Sequence, residues 1–190
     1  MKEILNEFIN SSIKKLQDAQ LALNSSQIKT IEIGAEYFNE KFLADEDVTQ
    51  LNEEFSFLRN QNKPTLYWFE LMNNTYNIEL RRHYEEYRER TKKGEAIYRN
   101  TSSYKTKPDY SSKILYVGKV EKAFWGRLVT HLGYNVSEKT AGMQLYHWYN
   151  PTIYGKIVLN YIEFDHEMKH LIVILEKQLA KKLKPLIGRY

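Results

Sequence analysis

The stretch ILYVGKVEKAFWGRLVTH, residues 114–131, constrains the fold of this chain more than any other. A short apolar run closes on Tyr116-Val117-Gly118-Lys119, and an amphipathic segment begins a few residues later. That change of pattern predicts a strand feeding directly into a helix. On the helix, Arg127 and His131 stand four residues apart and so share a face. Tyr116 and Lys119, at the end of the strand, are placed to meet them. A tyrosine, a lysine, an arginine and a histidine in one small space suit an anion, and phosphate is the commonest one. Arginine offers a bidentate fork for phosphate oxygens, lysine a point charge.

Two further runs read as strands. TLYWFEL (65–71) follows Pro64, and KIVLNYIEF (156–164) follows the turn marked by Pro151 and Gly155. Between the first two runs, residues 72–112 form a long polar insertion that starts helical and breaks at Gly94. Residues 123–132 and 137–149 read as helices, and Asp165 is placed to cap a last helix that runs through ILEKQLAKKL to Pro185. At the front, Ile4, Leu5, Phe8, Ile9, Ile13, Leu16 and Leu23 define an amphipathic helix over residues 2–24. Residues 27–45 are ambiguous, since QIKTIEIG alternates like a strand. Residues 47–60 read as helix, with Asp47 as N-cap. The expectation is an α+β chain. A small three-stranded mixed or antiparallel sheet is flanked by helices over residues 64–190, behind a helical extension over 1–63 that serves packing or dimerisation.

Charge and cysteine content narrow the function classes. Residues 1–64 hold 7 Lys+Arg against 11 Asp+Glu, whereas residues 65–190 hold 21 against 13. The basic, tyrosine-rich part favours a polyanionic partner. The chain has no cysteine, which excludes disulfides and thiolate metal sites and fits a reducing compartment. The first residues carry charges too often for a signal peptide or a membrane span. The chain reads as cytoplasmic, with no membrane partner.

The order Tyr67, then LYVGK (115–119), then Arg127, His131 and Glu176 in ILEKQLAKKLKP resembles the GIY-YIG nuclease superfamily. That resemblance covers residues 64–188 and implies a metal-dependent endonuclease acting on DNA. It places Tyr67 and Tyr116 as the two motif tyrosines, and Gly118 where the backbone passes close to phosphate. Lys119 would lower a tyrosine pKa or bind phosphate. Arg127 would hold the scissile phosphate, and His131 would aid proton transfer. Glu176 would hold a single Mg²⁺ or Mn²⁺ ion. A tyrosinate or His131 would then take a proton from the attacking water, which requires a tyrosine pKa well below its usual value of about 10. The chain departs from the family in the length of its insertion and in its first motif, Thr-Leu-Tyr. Gly188 also stands where the family often has asparagine, so that either Arg189 or Asn160 substitutes or the site is weakened.

Other features carry rival readings. Arg81, Arg82, Arg88, Arg90, Lys92 and Lys93 in the insertion could grip phosphates while Tyr84 and Tyr87 stack on bases. The interleaved Glu79, Glu85, Glu86 and Glu89 equally describe a solvated helix face. His166-Glu167-Met168-Lys169-His170 is an HExxH string, the zinc-hydrolase pattern with two histidines as ligands, although it falls at the very start of its helix. His83 and His147 read as structural, and Trp125 and Trp148 as core. A catalytically degenerate relative that only binds nucleic acid or protein is the alternative to the nuclease. An enzyme with one site per chain would act twice or pair with a second copy through its N-terminal helices.

Overall fold

The computed structural model describes residues 1–25, 27–43, 51, 55–59, 62–95, 99–134 and 140–188. Four strands form one antiparallel sheet: β1 (Lys29–Ile33), β2 (Thr65–Leu71), β3 (Ile114–Val120) and β4 (Ile157–Glu163). Their order is β1-β4-β2-β3. The three apolar runs became β2, β3 and β4, and the α+β class holds. The sheet has four strands rather than three, because the alternating QIKTIEIG segment adds β1 to the free edge of β4. Only Ile31 and Ile33 of β1 turn inward, and Lys29 pairs with Glu163 while Glu32 pairs with Lys156. A half-polar, charge-flanked strand of this kind is an edge strand. Residues 1–63 are therefore not a purely helical extension.

Helices cover both sheet faces. They are α1 (Lys2–Ser25), α2 (Ser56–Arg59), α3 (Asn77–Lys93), α4 (Phe124–Leu132), α5 (Pro151–Tyr154) and α6 (Ile172–Leu183). On one face Tyr67, Phe69 and Leu71 of β2 pack with Leu128 and Leu132 of α4, Leu159 and Tyr161 of β4, and Leu80 and Tyr84 of α3. On the other, Leu66 and Ile162 meet Met168 and Ile172, with Leu16 and Ala19 of α1 packed against them. Ile114 and Val117 of β3 meet Ala180 of α6 there. The leading half of α1 leaves Ile4, Leu5, Phe8, Ile9 and Ile13 exposed. Among the described residues no helix is long and apolar enough to cross a membrane.

Three local expectations changed. Residues 166–170 form a 3-10 turn instead of the first turn of a helix, and the Asp165 side chain does not cap it. Of the helix expected over 137–149, residues 137–139 lie outside the described residues, Gly142 bridges Thr101, Gln144 is left-handed, and among the described residues only Leu145–His147 coil, as a 3-10 turn. Asp47 and Arg189 lie outside the described residues. The insertion behaves as expected at its start: α3 ends where Gly94 adopts a left-handed conformation, with φ of 74°.

Candidate functional site

The site grows from the pairing of β2 with β3. Tyr67 lies opposite Gly118, on the face that α4 covers. A methyl group on Gly118 would sit 2.5 Å from the Tyr67 hydroxyl oxygen and 2.7 Å from a ring carbon of Tyr116. The glycine therefore makes room for two tyrosine rings.

Over this floor, α4 lowers Arg127 and His131. Arg127 donates from Nε to the Tyr67 hydroxyl (3.0 Å), from Nη1 to the Ala141 carbonyl (2.5 Å) and from Nη2 to the Tyr116 hydroxyl (3.4 Å). His131 is fully buried, with Nε2 2.9 Å from the Tyr67 hydroxyl. Its Nδ1 accepts the Met143 backbone N–H at 3.2 Å, so the ring proton belongs on Nε2, which donates to Tyr67. Burial, reinforced by the Arg127 charge, holds the imidazole pKa well below its usual value, and His131 is neutral. The Tyr67 oxygen thus takes two donors. Burial nonetheless pushes its pKa up against the opposing pull of Arg127, which leaves the phenol protonated.

The strap 141–144 fixes this arrangement. Ala141 accepts from Arg127, Met143 donates to His131, and Gly142 passes so close to α4 that a methyl group there would lie 2.5 Å from the Thr130 carbonyl oxygen. Sequence reasoning assigned these residues no role. The glycine in TAGMQ was the one available signal.

A polar cavity of about 470 Å³ opens beside β3. Tyr116, Arg127, Glu176 and Arg88 line it, together with the segment 100–103 and Gly188. Glu176 reaches it from α6 and forms no ion pair among the described residues. Burial raises its carboxyl pKa, while Lys119 and Arg127 act in the opposite sense. Pro185 and Gly188 also line it, held by the segment Leu186–Gly188, whose backbone N–H groups donate to the carbonyls of Ile114, Leu115 and Ser103. Gly188 has φ of +132°, a conformation that an asparagine would rarely adopt.

The structure brings Tyr116, Arg127 and Glu176 to one cavity, with Tyr67 and His131 directly behind Arg127. The remaining expected residues sort differently. Lys119 projects from the other face of β3 and pairs with Glu121 at 3.0 Å, close enough for its charge to act on Glu176. Arg81 is buried and consumed by Glu85, the Leu186 carbonyl and the Lys105 carbonyl, so it cannot serve nucleic acid. Arg82 and Arg90 are exposed on α3, away from the cavity. Tyr84 and Tyr87 are core residues, not stacking platforms. Asn160 bonds to Glu70 and does not line the cavity. His166 and His170 are exposed on a 3-10 turn, where residues four apart do not align. No group of three metal-ligating side chains exists among the described residues.

No protein-family model, curated protein or solved structure matches this chain.

Proposed function

We propose that the chain is a metal-dependent endonuclease that hydrolyses DNA phosphodiesters at a GIY-YIG-type site. The observation that carries this reading is the convergence of Tyr116, Arg127 and Glu176 on one polar cavity, with Arg127 pinned to the Tyr67–His131 pair behind it. An arginine locked in place and aimed at a cavity is a preorganised site for a developing negative charge.

Glu176 is a solitary, partly desolvated carboxylate, and Mg²⁺ or Mn²⁺ commonly binds through one or two carboxylates while keeping its waters. It would hold the ion, which when bound supplies Lewis-acid charge to the phosphate and its leaving oxygen. Arg127 uses its remaining N–H groups to hold the scissile phosphate. Tyr116, the tyrosine that faces the cavity, takes the proton from the attacking water as its tyrosinate, having first given up its own proton to solvent. Tyr67 and His131 do not line the cavity, so they are positioning residues that fix Arg127. His131 does not touch the water.

A catalytically degenerate binding module is the second reading. The protonated state of Tyr67 and the glycine at position 188 favour it. A cleavage assay on plasmid and single-stranded DNA, with Mg²⁺, Mn²⁺ or EDTA, separates the two. Metal-dependent cutting that disappears in Glu176→Ala and Arg127→Ala supports the nuclease. Salt-sensitive binding without cutting supports the module.

A further inference from the structure

Of the insertion's expected phosphate-binding arginines Arg81, Arg82, Arg88 and Arg90, Arg88 is the one that lines the cavity. Its guanidinium lies over the Tyr104 ring, 4.9 Å from the centroid, on a shelf that the buried Arg81 shares at 3.8 Å. Arg88 Nε is shut off from water and has no hydrogen-bond partner, and no carboxylate pairs with Arg88 among the described residues. A cation held by an aromatic face at the wall of a polar cavity, with no carboxylate to neutralise it, is prepared for an anion.

That anion is not the one Arg127 holds. A guanidinium has five N–H donors, and Arg127 commits three of them to Tyr67, Ala141 and Tyr116. The two that remain, one on each terminal nitrogen, suffice for one phosphate. The two arginines are also anchored on different residues: Arg127 on Tyr67, Ala141 and Tyr116, and Arg88 on Tyr104. They therefore reach the cavity from different walls, α4 and α3. Its volume of about 470 Å³ is that of a pocket for a nucleotide-sized ligand.

From these relations we infer that Arg88 binds a phosphate adjacent to the scissile one, so that the site takes an oligonucleotide strand with at least two successive phosphates. This rests on the nuclease reading for the identity of the scissile phosphate, though not for the binding itself. The insertion then discriminates a nucleic-acid strand from an isolated phosphodiester.

The test compares bis(4-nitrophenyl) phosphate, a lone diester, with a fluorescent single-stranded octanucleotide. The octanucleotide is followed both by Mn²⁺-dependent cleavage and by anisotropy in EDTA. Arg88→Ala should raise the octanucleotide KM and Kd about ten- to a hundredfold, the range for loss of one charged hydrogen-bonding partner. It should also lower the salt slope of binding by about 0.7. Hydrolysis of the lone diester should stay within about twofold. Arg88→Lys should restore part of the binding, and Arg82→Ala should change nothing. An Arg88→Ala protein of unchanged Tm that binds the octanucleotide like wild type overturns the inference, as does an equal loss on both substrates. If wild type binds the octanucleotide in an Arg88-dependent way but cuts neither substrate, the two-phosphate site stands and the nuclease reading falls. If wild type neither binds nor cuts, both fall.

Discussion

His131 Nε2 donates to the Tyr67 hydroxyl across 2.9 Å, inside a fully buried pair that no solvent reaches. The histidine is held on its other side by the Met143 N–H, and the tyrosine by Arg127 Nε. Strap, helix and sheet are thus joined through one phenolic oxygen. Removing that oxygen in Tyr67→Phe strands the buried imidazole N–H at a cost of about 1–3 kcal/mol. Arg127 also loses a tether. Denaturant unfolding should show the loss in stability, and on the proposed nuclease reading cleavage should fall about a hundredfold. In a double-mutant cycle with His131→Phe, additive losses would exclude coupling between the pair.

The two glycines beside the site should behave oppositely. Gly118→Ala drives a methyl group into the Tyr67 and Tyr116 rings, a cost of about 1–3 kcal/mol. Gly126→Ala, inside α4 with nothing near its new methyl group, should gain up to about 1 kcal/mol from helix propensity. Thermal denaturation of both variants would check this, and a stable Gly118→Ala would contradict the packing described.

Arg81 should matter to stability and its neighbour should not. Arg81→Ala leaves the carbonyls of Leu186 and Lys105 without their donors and should cost about 2 kcal/mol or more. Arg82→Ala, on the exposed side of the same helix, should stay within about 0.5 kcal/mol. Equal Tm values for the two variants would overturn the structural role of Arg81.

Glu176 should trade stability for function. Burial raises its pKa, so at neutral pH the folded state carries a disfavoured negative charge. Glu176→Gln should therefore raise the metal-free Tm by about 1–3 °C. It should also remove any stabilisation by Mn²⁺ in differential scanning calorimetry. A lower metal-free Tm would mean that the carboxylate is better satisfied than the cavity indicates.

His131 should make the fold acid-sensitive. Its folded pKa is depressed, so the unfolded chain binds the extra proton first as pH falls below the ordinary histidine value of about 6.5. The stability associated with the neutral ring is complete above that value. It drains away as pH drops toward the folded pKa, with a slope approaching 1.36 kcal/mol per pH unit for one proton. His147, also depressed by burial, adds to the same window. Stability measured against pH in His131→Gln should lose about one proton's worth of slope.

Much of this architecture was legible before the structure. β2, β3, β4 and α4 follow from apolar runs and helical spacing because their patterns are local. The same holds for the meeting of Tyr116 with Arg127, since strand and helix are joined by a short turn. β1 was ambiguous because its partner is remote and half its residues face solvent. The fate of Arg81 was illegible for the same reason: its acceptors include the carbonyl of Leu186, 105 positions along the chain. The HExxH spacing presumed a helix, whereas Met168 folds under the sheet and draws the segment into a tighter turn.

The strand order also governs the tempo of assembly. β1 pairs with β4 alone within the sheet, and Glu32 meets Lys156 across 124 positions of sequence. Residues 29–33 must therefore wait, unpaired, until 157–161 have been made and have joined β2. Sheets built on such distant pairings fold in milliseconds to seconds, not microseconds. Until β1 arrives, β4 presents a bare edge of backbone donors and acceptors. That is the interval in which a stray strand, or a chaperone, competes for the place of β1.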